Sequence, residues 1–96
     1  MSINPIRTIG ILGAGRVGMA LARQALKAGY EVLVATTRPP AEIELLVEVM
    51  APGAKAATAD VAARASDLVI LAVPLAKYRK LDPESLSGKI AIDAMN

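Results

Sequence analysis

Short apolar runs separated by stretches of helical periodicity make up most of this chain. Runs that end at glycine, proline or polar residues and are apolar throughout are typical of strands buried on both faces of a parallel sheet. Five segments are short and largely apolar in this way, so strands are predicted at 8–12, 31–36, 55–58, 68–73 and 89–93. Because predicted helices separate these strands, the pattern predicts a doubly wound, three-layer α/β/α domain with a parallel sheet of about five strands.

The helices between the strands are predicted from apolar residues three and four positions apart. The first helix spans 16–28, and Gly29 follows it where a left-handed stop is expected. The apolar stripe of this helix comprises Val17, Leu21, Ala25 and Ala28. The stripe of the second helix comprises Ile43, Leu46, Val47 and Met50. Thr58 is expected to cap a third helix that runs to Ala65, and a short fourth helix is predicted at 75–81.

A glycine-rich loop joins the first strand to the first helix. The loop Gly13-Ala14-Gly15-Arg16-Val17-Gly18 has the spacing G-x-G-x-x-G, and it stands in the strand–loop–helix context of a Rossmann-type dinucleotide site. Gly13 permits a tight turn, Gly15 lets a pyrophosphate approach the backbone, and Gly18 lets the helix lie close to the sheet. The alternative is a turn that needs glycine for conformation only. The residues after Gly18 lack the Lys-Ser/Thr pair of a nucleoside-triphosphate loop.

The end of the second strand indicates which dinucleotide the site prefers. An NAD-selective site places Asp or Glu there to hold the ribose 2′-hydroxyl, whereas this sequence has Thr36, Thr37 and Arg38. Two hydroxyls and a guanidinium suit a 2′-phosphate, so we expect NADP. NAD or dual use is one alternative, and an ordinary solvated loop is another. FAD is disfavoured because FAD sites generally have an acid at this position.

The nicotinamide end of a dinucleotide lies beyond the carboxyl ends of the strands, where strand order reverses. The fourth strand ends at Ala72, Val73 and Pro74, and Asn96 follows the fifth. We expect Val73 to pack on the ring, Pro74 to fix the direction of the loop, and Asn96 to reach the carboxamide or a substrate. For Val73 and Pro74, strand termination alone is the alternative. Asp93 is interpreted as a structural residue at a strand end rather than a base.

The amino-acid composition limits which catalytic groups and metal ligands the chain can offer. Of 96 residues, 54% are hydrophobic and only 2% aromatic, and Cys and His are absent. Cysteine and histidine catalysis and the commonest metal ligands are therefore excluded, and we predict no metal site. We assign no catalytic side chain, so any reaction must depend on a cofactor or on residues outside this chain.

The charge of the chain is too small to indicate binding to nucleic acid or to a membrane surface. The net charge is +2; residues 1–40 have five Lys and Arg against Glu31, a net +4, and residues 41–96 have six against eight acids, a net −2. The basic half holds the phosphate signals, although chance placement on solvated faces gives the same distribution. No signal peptide or membrane span is predicted, so we expect a cytoplasmic protein. Exposed edge strands and apolar composition favour a partner domain or a homo-oligomer.

Three segments of the sequence resemble one known family. They are GILGAGRVGMALARQALKAGYEVLVATTR, ASDLVILAVP and KIAIDAMN. They are similar to the N-terminal domain of NADP-dependent oxidoreductases related to the NADP reductases that use a deazaflavin, coenzyme F-420. Pyrroline-5-carboxylate reductases and 6-phosphogluconate or β-hydroxyacid dehydrogenases are more distant relatives. The T-T-R after the second strand and the terminal D-A-M-N are the most particular shared features.

The resemblance implies hydride transfer between NADPH and a deazaflavin or a small carbonyl or imine substrate, while the protein supplies orientation and electrostatics. It assigns 13–18 to the pyrophosphate, Thr37 and Arg38 to the 2′-phosphate, and Val73 and Pro74 to the ribose and nicotinamide. It also implies that residues 1–96 form the NAD(P)-binding domain of a longer enzyme. A non-catalytic NADP-binding or sensing domain is the main alternative. An S-adenosylmethionine-dependent transferase is disfavoured, because it would want an acid after the second strand.

Overall fold

The structure, a computed structural model, describes residues 6–72 together with the backbone of 90–93. Strands and helices alternate along these residues, as the sequence pattern predicts. The strands are β1 (Thr8–Leu12), β2 (Glu31–Ala35), β3 (Lys55–Ala56), β4 (Leu68–Leu71) and β5 (Ile90–Asp93). The helices are α1 (Arg16–Lys27), α2 (Pro40–Met50) and α3 (Ala59–Ala65).

The five strands form one parallel sheet in the order β3-β2-β1-β4-β5. The chain first winds outward from β1 through β2 to β3, and it then crosses back so that β4 pairs with the other side of β1. The order therefore reverses between β1 and β4, which confirms the doubly wound, Rossmann-type topology. In such a sheet the crevice at the carboxyl ends of these two strands is the usual place for a ligand.

Two apolar clusters cover the two faces of the sheet. Successive strand residues point to opposite faces, so Ile11 and Val34 pack in the cluster beneath α1 and α2, whereas Leu12 lies in the cluster with α3. All three side chains are fully buried. Burial on both faces is the physical reason that these strands are apolar throughout instead of alternating with polar residues.

The predicted apolar stripe of α1 is wrong in part. The buried residues are Gly18, Met19, Ala22 and Ala25, whereas Val17 is 52% exposed and Ala28 is also exposed. The helix therefore turns its small residues toward the sheet. Gly18 sets this rotation, because a Cβ at that position would overlap the carbonyl group of Gly13. The predicted stop at Gly29 is confirmed by its φ of +94°.

The predicted stripe of α2 is also only half correct. Ile43 and Val47 are buried, but Leu46 and Met50 are 43% and 39% exposed. Helix α2 packs on the sheet through one narrow row of side chains, Ile43 and Val47. The rest of the predicted stripe therefore stays in solvent. Several strands are shorter than predicted, and the helix expected at 75–81 lies outside the described residues.

Two local contacts fix α3 and β4 against β1. Thr58 caps α3 as predicted, because its Oγ1 accepts a hydrogen bond from the Val61 amide at 3.1 Å. Asp67 precedes β4, and its Oδ2 accepts hydrogen bonds from the amides of Arg7 at 2.9 Å and Thr8 at 3.1 Å. The carboxylate thereby joins the amino ends of β1 and β4, which helps to set the register of the two central strands.

Candidate functional site

The carboxyl ends of the three inner strands are joined by backbone hydrogen bonds. The Gly13 amide donates to the carbonyl of Ala35 at 2.7 Å, and the Ala72 amide donates to the carbonyl of Leu12 at 2.9 Å. Gly13 has a φ of +127°, a conformation that other residues rarely adopt. The turn out of β1 is therefore held against the end of β2 on one side and the end of β4 on the other.

The third glycine of the loop packs directly on the first. A Cβ built on Gly18 would overlap the carbonyl oxygen of Gly13, and it would lie 3.0 Å from the Gly13 carbonyl carbon and 3.5 Å from Cβ of Ala72. No side chain can be placed here without moving backbone. The close approach of α1 to the sheet thus depends on Gly18, as the fingerprint predicts.

The middle glycine, Gly15, stands in a different environment. It is the N-cap residue of α1, with φ −79° and ψ −167°, which any residue can adopt. A Cβ built on it meets no atom within 4 Å among the residues that the structure describes, its chain neighbours aside, and the residue is exposed. The turn-only interpretation therefore accounts for Gly13 and Gly18, but neither strain nor crowding within the described residues explains a glycine at position 15.

The amino end of α1 is suited to an anion. The hydrogen bonds of the helix begin with the Met19 amide, which donates to the carbonyl of Gly15 at 2.9 Å, so the preceding amides have no partner inside the helix. The first turn contains no acidic residue, and the exposed Arg16 adds a positive charge. Helix dipole, amide donors and charge all favour a negatively charged group beside Gly15.

The segment after β2 is placed at the same edge of the sheet as the glycine loop, because the Gly13 amide is bonded to Ala35. Thr36 is half-buried, and its Oγ1 accepts a hydrogen bond from the Arg38 amide at 3.0 Å. Thr37 and Arg38 are exposed. Sequence reasoning treated Thr36 as a donor and missed its role in shaping the turn; the signal was a Thr two residues before the amide that it binds.

The structure brings part of the predicted nicotinamide flank to this edge. Ala72 is half-buried and lies beside the glycine loop. Val73, Pro74 and Asn96 lie outside the described residues. A cavity of about 660 Å³ lies at the opposite, amino edge of the sheet, lined in part by Thr8, and the glycine loop is not among its lining residues.

The described residues were also searched for metal sites and for membrane-spanning helices. Within 6–72 and 90–93, no group of three or more Asp and Glu side chains is placed to hold a metal ion. None of the helices in this part of the chain has both the length and the apolar character of a membrane span.

Comparisons with known proteins agree with this geometry. Residues 8–96 match the family described as "NADP oxidoreductase coenzyme F420-dependent". A glyoxylate reductase from Thermococcus onnurineus (strain NA1) is 40% identical over 84 residues, which are 83% of this chain and 23% of that protein.

Two solved structures resemble the chain at a similar level. An imine reductase from Bacillus cereus BAG3X2 has a TM-score of 0.69 and 33% identity, covering 91% of this chain and 31% of its own. A reductive aminase from Aspergillus terreus, solved in complex with NADPH and ethyl-5-oxohexanoate, has a TM-score of 0.70 and 31% identity over 96% of this chain and 32% of its own. The chain therefore spans less than a third of the length of each of these three proteins.

Proposed function

The chain belongs to the family of coenzyme F420-dependent NADP oxidoreductases and forms an NAD(P)-binding domain of Rossmann type; from this premise we propose that it binds NADPH in preference to NADH. The proposal concerns residues 1–96 as the dinucleotide-binding part of a longer enzyme. The shared region covers 23%, 31% and 32% of the three relatives' own lengths, which supports that extension.

The environment of Gly15 is the observation that carries the binding of a dinucleotide. Three features together would favour an anion here: the open space where a Cβ of Gly15 would stand, the acid-free first turn of α1, and the amides at the helix start that have no partner inside the helix. A pyrophosphate there would accept hydrogen bonds from the backbone between Gly13 and Gly18. Arg16 would add a charge at the rim, and Ala14 and Val17 would line the pocket.

The preference for NADPH rests on the segment after β2. A 2′-phosphate at the end of this strand would meet the Arg38 guanidinium and the Thr37 hydroxyl, and no acid stands between 32 and 41 to repel it. The hydrogen bond from the Arg38 amide to Thr36 holds the turn that presents both side chains. A backbone turn that is held by this bond without ligand would reduce the entropic cost of binding a 2′-phosphate.

The reaction that we propose is hydride transfer between NADPH and one of two kinds of partner. The partner is either a second hydride carrier of the deazaflavin type or a small carbonyl or imine compound. NADPH supplies the hydride when bound, and this chain holds and orients it. Support comes from the family and from the names of its relatives, a glyoxylate reductase, an imine reductase and a reductive aminase. Ala72, Val73, Pro74 and Asn96 are the residues that we propose beside the nicotinamide and its ribose.

Calorimetric titration of the chain with NADPH, and separately with NADH, tests the proposal. We expect clear preference for NADPH. Arg38→Ala should weaken NADPH by about 1–3 kcal/mol, or about 5- to 150-fold, and should leave NADH nearly unchanged. Arg7→Ala is the matched control, because it removes the same charge from an exposed residue at the opposite edge of the sheet.

Each outcome has a defined meaning. If Arg38→Ala weakens NADPH and NADH equally, Arg38 does not hold the 2′-phosphate. If Arg7→Ala has the same effect as Arg38→Ala, the preference arises from overall charge and not from a pocket. If the folded chain binds neither dinucleotide, the domain is not sufficient for binding and the proposal fails for residues 1–96.

A further inference from the structure

The segment that joins β2 to α2 is short and is fixed at both of its ends. Only residues 36–39 lie between the two elements. At one end Ala35 is fully buried, and its carbonyl accepts the hydrogen bond from the Gly13 amide. At the other end the first turn of α2 is anchored by the buried Ile43. Because four residues must connect two fixed points, few backbone conformations are open to Arg38.

Contacts on both sides of Arg38 restrict its backbone further. On the amino side, its amide donates a hydrogen bond to Oγ1 of Thr36 at 3.0 Å. On the carboxyl side stands Pro39, and a residue before proline is largely excluded from helical conformations. Pro39 has φ −59° and ψ 148°, and its carbonyl accepts a hydrogen bond from the Glu42 amide at 3.0 Å where α2 begins. Of these hydrogen bonds, only the one to Thr36 depends on a side-chain atom, so a substitution of nearly the same shape removes it.

We propose that Thr36 is a positioning residue, which contributes to the preference for NADPH by acting through Arg38 and not by contacting the coenzyme. This role rests on the proposed function, in which the Arg38 guanidinium holds the 2′-phosphate. Thr36 is half-buried, whereas Thr37 and Arg38 are exposed, so the two exposed side chains are the more accessible to a ligand. The Arg38 amide is already bonded to Thr36, so Arg38 offers its guanidinium and not its amide to an anion.

The contribution of Thr36 comes from the freedom that Arg38 loses when a 2′-phosphate binds. While Oγ1 of Thr36 holds the amide, the direction of the Arg38 side chain from the backbone is fixed before the ligand arrives, and only the side-chain torsions remain to be ordered. Without the bond, the backbone must be ordered as well, which opposes binding. NADH has no 2′-phosphate, so its affinity does not depend on where Arg38 points.

Calorimetric titration of Thr36→Val with NADPH and with NADH is the first test. Valine has nearly the shape of threonine but no hydroxyl. The lost bond is open to solvent, so we expect NADPH affinity to fall by about 2- to 10-fold and NADH affinity to stay unchanged. Thr36→Ser keeps the hydroxyl and should restore most of the preference.

Thr8→Val is the matched control for these titrations. Thr8 is also half-buried, and its Oγ1 donates a hydrogen bond to Oε2 of Glu31 at 3.2 Å, at the amino edge of the sheet. This substitution removes the same hydroxyl far from the segment after β2, so both affinities should stay unchanged. A preference that falls as much in Thr8→Val as in Thr36→Val overturns the inference.

A double-mutant cycle decides whether Thr36 acts through Arg38. We expect the effect of Thr36→Val on NADPH affinity to disappear in an Arg38→Ala background, because no guanidinium is then left to position. An effect of the same size in both backgrounds would show that the Thr36 hydroxyl binds the phosphate itself. The inference would then be overturned, while the proposed preference for NADPH would stand.

A measurement without ligand tests the hydrogen bond itself. In NMR spectra of the free chain, the Arg38 amide proton should show the weak temperature dependence of a bonded group in the wild type and in Thr36→Ser, and a stronger one in Thr36→Val. Thermal unfolding should be nearly the same for all three proteins, so that a lower preference in Thr36→Val reflects the turn and not the fold. An unbonded Arg38 amide in the wild type overturns the inference alone. A wild type without preference for NADPH overturns the proposed function, and the role of Thr36 with it.

Discussion

Replacing Gly15 by alanine should separate the binding of a dinucleotide from the folding of the chain. The added methyl group meets no atom of the described residues within 4 Å apart from its chain neighbours, and the backbone angles of Gly15 suit any residue. The methyl group instead occupies the space above the amino end of α1. If that space belongs to a pyrophosphate, the substitution damages the ligand site and leaves the protein intact.

Two opposing effects on stability should nearly cancel. Alanine reduces the freedom of the unfolded chain, which stabilises the fold by about 0.4–1 kcal/mol. Alanine is also a poorer N-cap than glycine, and this costs roughly 0.5–1 kcal/mol. The free energy of unfolding should therefore change by less than about 0.5 kcal/mol. Thermal or urea unfolding of the two proteins without ligand measures this difference.

Binding should respond far more strongly than stability. A methyl group between the backbone amides and the pyrophosphate lengthens or breaks charge-assisted hydrogen bonds worth about 1.5–3 kcal/mol, so NADPH and NADH should each lose about 10-fold or more in affinity. The loss should be equal for the two, because the pyrophosphate is common to both. Gly15→Val should abolish binding in the same calorimetric titration.

Gly18→Ala gives the contrasting result. Its Cβ overlaps the carbonyl group of Gly13, so the helix or the loop must move and stability should fall by about 1–3 kcal/mol. The reasoning would be refuted if Gly15→Ala bound dinucleotides with unchanged affinity. It would also be refuted if Gly15→Ala destabilised the chain as much as Gly18→Ala does, because position 15 would then be a structural glycine.

Two further substitutions test the packing that positions the site. Gly10→Ala should destabilise the chain by about 1–3 kcal/mol, since its Cβ would lie 2.8 Å from the carbonyl oxygen of Ala62 on α3; a urea midpoint equal to that of the wild type would contradict this contact. Asp67→Ala should cost about 1–2 kcal/mol, because the amides of Arg7 and Thr8 lose their carboxylate acceptor. Urea unfolding measures this loss of stability. Asp67→Asn should be intermediate in stability, because its amide oxygen can still accept a hydrogen bond. Equal stability of the wild type and both variants would show that water replaces the carboxylate.

Sequence reasoning predicted the candidate site from features that are local in the chain. The spacing of glycines between a strand and a helix, and the absence of an acid after β2, are properties of a few consecutive residues. The structure places the corresponding segments at one edge of the sheet through the bond from Gly13 to Ala35. The roles proposed for the individual residues, including Arg38, stay predictions until binding is measured.

Sequence reasoning was less accurate for helix faces. The predicted stripe on α1 included Val17 and Ala28, which are exposed, and omitted Gly18, Met19 and Ala22, which are buried. Spacing alone does not fix the rotation of a helix against a sheet. On α1 the close approach of Gly18 to Gly13 sets that rotation and turns the stripe away from the predicted face.

The sequence by itself determined the order of the elements, the parallel sheet and the position of the glycine loop. These follow from hydrophobic periodicity, from glycine and proline at the ends of elements, and from the conformational freedom of glycine. Each of these acts over a few neighbouring residues. Only the tertiary structure decided which face of each helix is buried and that Leu45 and Val49 on α2 stay exposed. It also decided that, among the described residues, Gly15 has open space around it while Gly18 does not. These properties depend on atoms that are distant in the chain, and the distances between them are set by packing and not by local sequence.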